Sequence, residues 1–214
     1  MIWKPEIDRS LIAILGSFNP AIFHPLWFKM NKLIRDDEAD GAKLNITHSD
    51  VSDFSIDWFQ LIVLKDRYTI SSTDNAHFEP MRDLVIGNFT ILEHTPVSKL
   101  ALIRQMHFKM PSIEKWHSFG HLIAPKEIWK GKMKKPGLRS IIIEDSIENP
   151  EGSFIVKIDP STKVTPGVYI EVIHHYDKIK ESKAENMIKL LKDRFIDDIN
   201  SSLDTAEYLL SQEY

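Results

Sequence analysis

Lys99-Leu100-Ala101-Leu102-Ile103-Arg104-Gln105-Met106-His107-Phe108 is the stretch on which the reading of the fold turns. An apolar run with polar residues interleaved in its second half reads as a strand. Immediately downstream, Pro111-Ser112-Ile113-Glu114 supplies an N-terminal signal for a helix that carries Ile113, Trp116, Phe119 and Leu122. Three strands follow at about 138–146, 153–158 and 168–175, separated by Asn149-Pro150-Glu151-Gly152 and Thr165-Pro166-Gly167 turns. The C-terminal region, from about 184 to 210, reads as helical, with Ile188, Leu191, Phe195 and Ile199 on one stripe. Asn200-Ser201-Ser202 reads as a bend or interruption of it.

Upstream, the same order has already been run through once. Ser10-Leu11-Ile12-Ala13-Ile14-Leu15 is a short apolar run ending at Gly16 and suits a buried strand. Pro25 is tolerated in a first helical turn, so a helix is expected from about 24 to 34. Arg35-Asp36-Asp37-Glu38-Ala39-Asp40-Gly41 breaks apolar periodicity and reads as a solvated loop. Strands are expected at 44–48, 56–64 and 68–71, the last two joined through Lys65-Asp66-Arg67 as a hairpin. Met81, Leu84, Val85, Phe89 and Leu92 then recur at helical spacing after Glu79-Pro80.

The expected architecture is therefore α+β: two tandem strand–helix–three-strand–helix halves, 1–96 and 97–214, packed as one unit. Together they form a largely antiparallel sheet with helices on one face. Two correspondences suggest that the halves are copies. Leu11 to Trp27 and Leu100 to Trp116 are both sixteen residues apart, and Met81, Leu84, Val85 and Phe89 match Met187, Leu190, Leu191 and Phe195. Both tryptophans are expected to be largely buried. In element order alone this resembles the duplicated saddle of TATA-binding-protein-like folds. The phrase Asn19-Pro20-Ala21-Ile22-Phe23-His24-Pro25-Leu26-Trp27-Phe28 also looks like the opening of a family of uncharacterised bacterial proteins, a resemblance that implies no activity.

Composition bounds the function classes. At 214 residues the chain buries roughly 70% of its unfolded surface, enough for a core without staples. Cysteine is absent, which excludes a disulfide framework, thiolate metal ligation and a cysteine nucleophile. The first residues, Met1-Ile2-Trp3-Lys4-Pro5-Glu6, lack the charged-then-apolar run of a signal peptide, and no apolar stretch is long enough to span a bilayer. A cytoplasmic location without membrane contact is the expectation. The net charge of −4 argues against a surface wholly devoted to nucleic acid.

Against that background one stretch stands out. Lys126, Lys130, Lys132, Lys134, Lys135 and Arg139 fall within fourteen residues, with Trp129 among them. Such a loop suits phosphates and exposed bases, or serves as a solvated connection. His117 and His121, at i and i+4 on a helix, are weak candidates for a metal pair, with His107 and His174-His175 as conceivable neighbours. Glu144-Asp145 and Asp159 lie at expected strand ends, where paired carboxylates can hold a divalent cation or simply make turns. No phosphate loop, nucleophile elbow or dinucleotide fingerprint occurs. The leading reading is a non-enzymatic module that binds a protein partner within a bacterial multi-component system and needs no cofactor. The alternatives are a nucleic-acid-associated module acting through residues 126–139 and a metal-dependent hydrolase.

Overall fold

The alternation of side chains along the two longest apolar strands sets the plan of the molecule. A computed structural model describes residues 3–212, so that Met1 and Ile2, which open the segment read for a signal peptide, lie outside the described residues. In β1 (Ile7–Gly16) and β6 (Val97–Lys109), paired antiparallel, Ile12 lies opposite Leu102 and Ala13 opposite Ala101. Ser10, Ile12 and Ile14 therefore share a face with Leu100, Leu102, Arg104 and Met106, while Leu11, Ala13, Ala101 and Ile103 point the other way.

Around this central pair the described residues build a nine-stranded sheet, all of whose pairings are antiparallel. The other strands are β2 (Lys43–His48), β3 (Val51–Ser55), β4 (Gln60–Leu64), β5 (Arg67–Ser72), β7 (Ile141–Ile147), β8 (Gly152–Pro160) and β9 (Gly167–Tyr176). Their order is β2-β3-β4-β5-β1-β6-β9-β8-β7. The arrangement β4-β5-β1 on one side thus mirrors β8-β9-β6 on the other. The expected turns at Asn149-Pro150 and Thr165-Pro166 both contain cis peptide bonds.

The helices are α1 (Pro25–Met30), α2 (Asp36–Asp40), α3 (Phe78–Ile91), α4 (Ile113–Ile123) and α5 (Ala184–Leu210). The same sheet face takes Met81 and Phe89 of α3, Met187, Leu191 and Phe195 of α5, and Phe28 of α1, whose ring meets Phe54 at 5.5 Å. Phe119 of α4 packs on that face against Met106, Phe108 and Ile158. Local chemistry starts these helices: the Ser112 hydroxyl accepts from the Lys115 N–H at 3.2 Å, and His24 caps α1 ahead of Pro25. The opposite face of the sheet is lined mostly by half-buried residues, with Leu11, Ser71 and Ala101 buried among them.

Four local expectations need correction. Between the strands expected at 44–48 and 56–64 lies an additional one, β3, so the first half has four strands after its helices; residues 56–59 are a turn and β4 starts at Gln60. The helix expected at 24–34 ends at Met30, because Lys32 takes a left-handed φ of 56°. The acidic run read as a loop contains α2: its carboxylates stand at the helix N-terminus, where the backbone dipole favours them, and Glu38 accepts from the Arg35 N–H at 2.8 Å. α5 runs unbroken through Asn200-Ser201-Ser202, held by buried Ile199 before and Ala206 after that stretch, and the Ser202 hydroxyl is satisfied by donating back to the Asp198 carbonyl at 2.7 Å.

The signs of duplication divide. Trp27 and Trp116 occupy the helices that follow β1 and β6, but both are half-buried rather than buried. Met81, Val85 and Phe89 are fully buried, as are Met187, Leu191 and Phe195. The sixteen-residue spacing does not survive, because Leu11 lies on the uncovered face and Leu100 on the helix-covered one.

The core falls into a large cluster shared by both halves and a smaller one around Phe108, Phe119 and Val172. A polar seam separates them. Along β6 it interrupts the apolar series at Arg104, along β9 at His174, and along α5 at Asp198 and Ser202. Arg104 is 4% exposed and grips Asp8 through two bonds of 3.0 and 2.6 Å, while a third donor reaches the Ile199 carbonyl at 2.8 Å. The guanidinium also lies 5.7 Å from the centre of the Phe78 ring. Removing one partner strands a buried charge. Asp8→Ala is therefore expected to cost about 3–5 kcal/mol in urea denaturation, and the paired change Asp8→Leu with Arg104→Met to cost clearly less. Equal losses in the two variants would show that the pair's charges are not what the seam depends on.

Candidate functional site

Between α4 and β7 the chain is short of apolar periodicity and rich in lysine, glycine and proline, and it forms no regular element beyond a single 3-10 turn, Glu127–Trp129. The seven residues singled out in the sequence all lie here. Lys126 is half-buried; Trp129, Lys130, Lys132, Lys134, Lys135 and Arg139 are exposed. Lys130 meets Glu127 at 3.4 Å, and His121 Nε2 reaches the same carboxylate at 3.2 Å. Glu127 is held below the usual carboxylate range, first by its own backbone N–H and then by His121 and Lys130. Among the described residues no carboxylate lies within ion-pairing distance of Lys126, Lys132, Lys134, Lys135 or Arg139.

Charge is only half of the surface. Ile128 is 80% exposed, and Trp129 and Met133 about half exposed. Lys126, Trp129, Met133, Leu138, Arg139 and Ile141 line a cleft of about 300 Å³ where the loop runs into β7. The cleft thus gathers Lys126, Trp129 and Arg139 from the predicted set and leaves Lys130, Lys132, Lys134 and Lys135 outside it. Beyond the loop, Ile142 and Ile143 on β7 are also about 60% exposed. Sequence reasoning singled out Trp129 but passed over Ile128, Met133, Ile142 and Ile143. The available signal was Ile141-Ile142-Ile143 itself: three consecutive isoleucines place apolar groups on both faces of one strand.

The elements of the hydrolase reading stay apart. His117 and His121 sit on exposed positions of α4, His117 beside the Trp116 ring at 5.2 Å. Among the described residues no three histidines or carboxylates come together in a way that could hold a metal ion. Because Ile141 lies opposite Ile158 and Asp145 opposite Phe154, Glu144-Asp145 and Asp159 fall toward opposite ends of the β7–β8 hairpin. Asp159 instead pairs with Lys157 at 3.1 Å.

A second group of titratable residues is enclosed in the seam beneath α5. Arg194 approaches Asp198 at 3.2 Å and donates to the Tyr176 hydroxyl at 3.0 Å, and that hydroxyl donates to Asp198. His174 stands 3.6 Å from Asp198, and its buried Nε2 has no hydrogen-bond partner among the described residues. Burial pushes Tyr176 up, and the hydrogen bond to Asp198 adds to that. Burial also lowers His174, against the opposing pull of Asp198. With Asp198 1% and His174 5% exposed, this cluster lacks the access that a substrate needs.

No protein-family model and no curated protein matches the chain.

The seam makes stability depend on pH. In the unfolded chain His174 takes up its proton near its ordinary value of 6.5, whereas in the fold it does so only at lower pH. Its contribution is therefore intact above that value and declines as pH falls through it. His107, lowered by burial and then by Lys163, acts in the same direction. Urea denaturation between neutral and mildly acidic pH is expected to show stability falling with pH, and His174→Gln to flatten the slope. An unchanged slope would mean that His174 takes up its proton alike in the folded and unfolded chain.

Proposed function

We propose that the protein is a non-enzymatic binding module that engages a protein partner through the loop at 126–139 and the cleft beside it. The observation that carries this reading is the exposure of Trp129 and Met133 in the lining of that cleft, with Ile128 next to Trp129 in the chain 80% exposed. Apolar side chains left in water at one spot cost the free protein solubility, and such patches are typical of interaction sites. Tryptophan, methionine and arginine are the residue types enriched where protein interfaces are buried, and here they line one cleft. A cytoplasmic setting is supported by the absence of cysteine and of any helix, among the described residues, long and apolar enough to cross a membrane. The bacterial setting rests on the resemblance of residues 19–28, and the place in a multi-component system on the partner reading itself.

The test compares affinity capture by the wild type with capture by Ile128→Glu/Trp129→Ala/Met133→Glu. These side chains support little of the core, so the melting temperature is expected to stay within a few degrees of the wild type. Partners identified with the wild type are expected to be lost with the variant. Partners retained by the variant would place the binding surface elsewhere.

A nucleic-acid reading has its own support in the five cations without carboxylate partners. Neutralising Lys130, Lys132, Lys134 and Lys135 together should leave thermal stability nearly unchanged. On this reading it should weaken binding to single- or double-stranded nucleic acid, most visibly at low salt. Binding absent at low salt, or indifferent to the four changes, would leave the protein-partner reading alone.

A further inference from the structure

Among the described residues β7 ends the sheet: it pairs with β8 on one side, and no strand lies on the other. Alternate backbone N–H and C=O groups along that free side have no strand partner, and the Ser146 N–H donates to the Asp145 carboxylate at 2.8 Å. Sheet edges are ordinarily blunted by lysine, proline or a bulge. The opposite edge, β2, has Lys43 and an irregular register near Asn45. β7 has none of these devices: its seven residues pair with β8 without a register shift, and Ile142 and Ile143 are 61% and 60% exposed.

The sequence across this edge is complementary to itself. When two copies of Arg139-Ser140-Ile141-Ile142-Ile143-Glu144-Asp145 run antiparallel with Ile142 on the twofold axis, Ile142 meets Ile142 and Ile141 meets Ile143. Ser140 meets Glu144, and Arg139 meets Asp145, once on each side of the axis. Residues directly opposite across an antiparallel pair share a face, so the isoleucine pairs are side-chain contacts, and the Ser140 and Arg139 pairs join them when β7 extends by the two residues that precede it. Other alignments lose this match. Moving the axis to Ile143 sets Ile142 against Glu144 and Ile141 against Asp145, and moving it to Ile141 sets Ile143 against Arg139. Parallel pairing brings Glu144 and Asp145 alongside their own copies. Arg139, Ser140 and Asp145 are exposed in the single chain. The twofold pairing also brings the second copy's Ile143 beside Ile141, at the rim of the cleft formed with Trp129 and Met133.

We propose that β7 pairs antiparallel with β7 of a second copy of this chain, joining two nine-stranded sheets into one and using the register in which Arg139 lies opposite Asp145. A seven-residue edge buries less than a permanent interface requires, so the dimer is reversible and depends on concentration. This goes beyond the partner reading and does not depend on it.

Sedimentation velocity over a concentration series tests the pairing on the full chain. The wild type is expected to shift from monomer toward twice the monomer mass as concentration rises. Arg139→Asp and Asp145→Arg each set like charges opposite one another twice, and each is expected to weaken association about tenfold. The combined R139D/D145R exchange restores the opposite-charge pairs and is expected to recover it. Ile142→Lys places two ammonium groups face to face and is expected to leave a monomer. All three positions are exposed, and matched thermal melts verify that the fold is kept. A wild type that stays monomeric throughout would overturn the proposal. So would a dimer indifferent to Ile142→Lys, or single charge variants that the combined exchange fails to rescue. A monomer that still captures a partner through Ile128 and Trp129 would sink the self-pairing and leave the binding reading intact.

Discussion

The antiparallel pairing of β1 with β6 is the constraint from which the rest of the structure follows. It joins strands about ninety residues apart and, by setting Ala13 opposite Ala101, decides which side chains of each half meet the helices. A slip of one residue in either strand would turn Ile12 and Ile14, or Leu100 and Leu102, out of the core and expose an apolar row. The large cluster draws on both strands and on α3 and α5 together, so each half relies on the other for the closure of its core.

The same register produces the seam. With Ser10 opposite Arg104, the next inward position on β1 is Asp8, within reach of the guanidinium. The Ile199 carbonyl takes a third donor, which ties α5 to the strand pair at one depth. An apolar seam could let α5 slide along its own axis, because leucine and isoleucine tolerate many offsets. Arg104 and the Tyr176–Asp198 contact accept few. The cost is a set of buried groups, His174 foremost, whose protonation the fold opposes.

Distance from this centre accounts for the character of the candidate site. The loop at 126–139 and β7 lie at the end of the sheet, beside the smaller core cluster. The ends of β7 reach the core, Ile141 at the smaller cluster and Ile147 at the larger, while Ile142 and Ile143 between them stay about 60% exposed. The lysines keep the loop hydrated, while Ile128, Trp129 and these two exposed isoleucines remain available for contact with another chain.

Much of this was legible in the amino-acid sequence, because periodicity is a local property. The apolar runs of β1, β4 and β6, the stripes of α3 and α5 and the proline turns before β8 and β9 identify themselves, and so does the basic loop. β3 was not legible. Its buried Ser52 is satisfied by a hydroxyl bond to the Phe23 carbonyl, a partner 29 residues away that turns a polar residue into a core one. α2 was hidden for a related reason, since its acidic residues gain from the helix dipole without any apolar stripe to announce them. Strand neighbours, the face each residue occupies, the pairing of Asp8 with Arg104 across 96 residues and the exposure of β7 at an edge belong to the tertiary structure alone. Each depends on register between distant segments, and register is set by how the whole apolar surface is best buried rather than by any stretch of sequence read by itself.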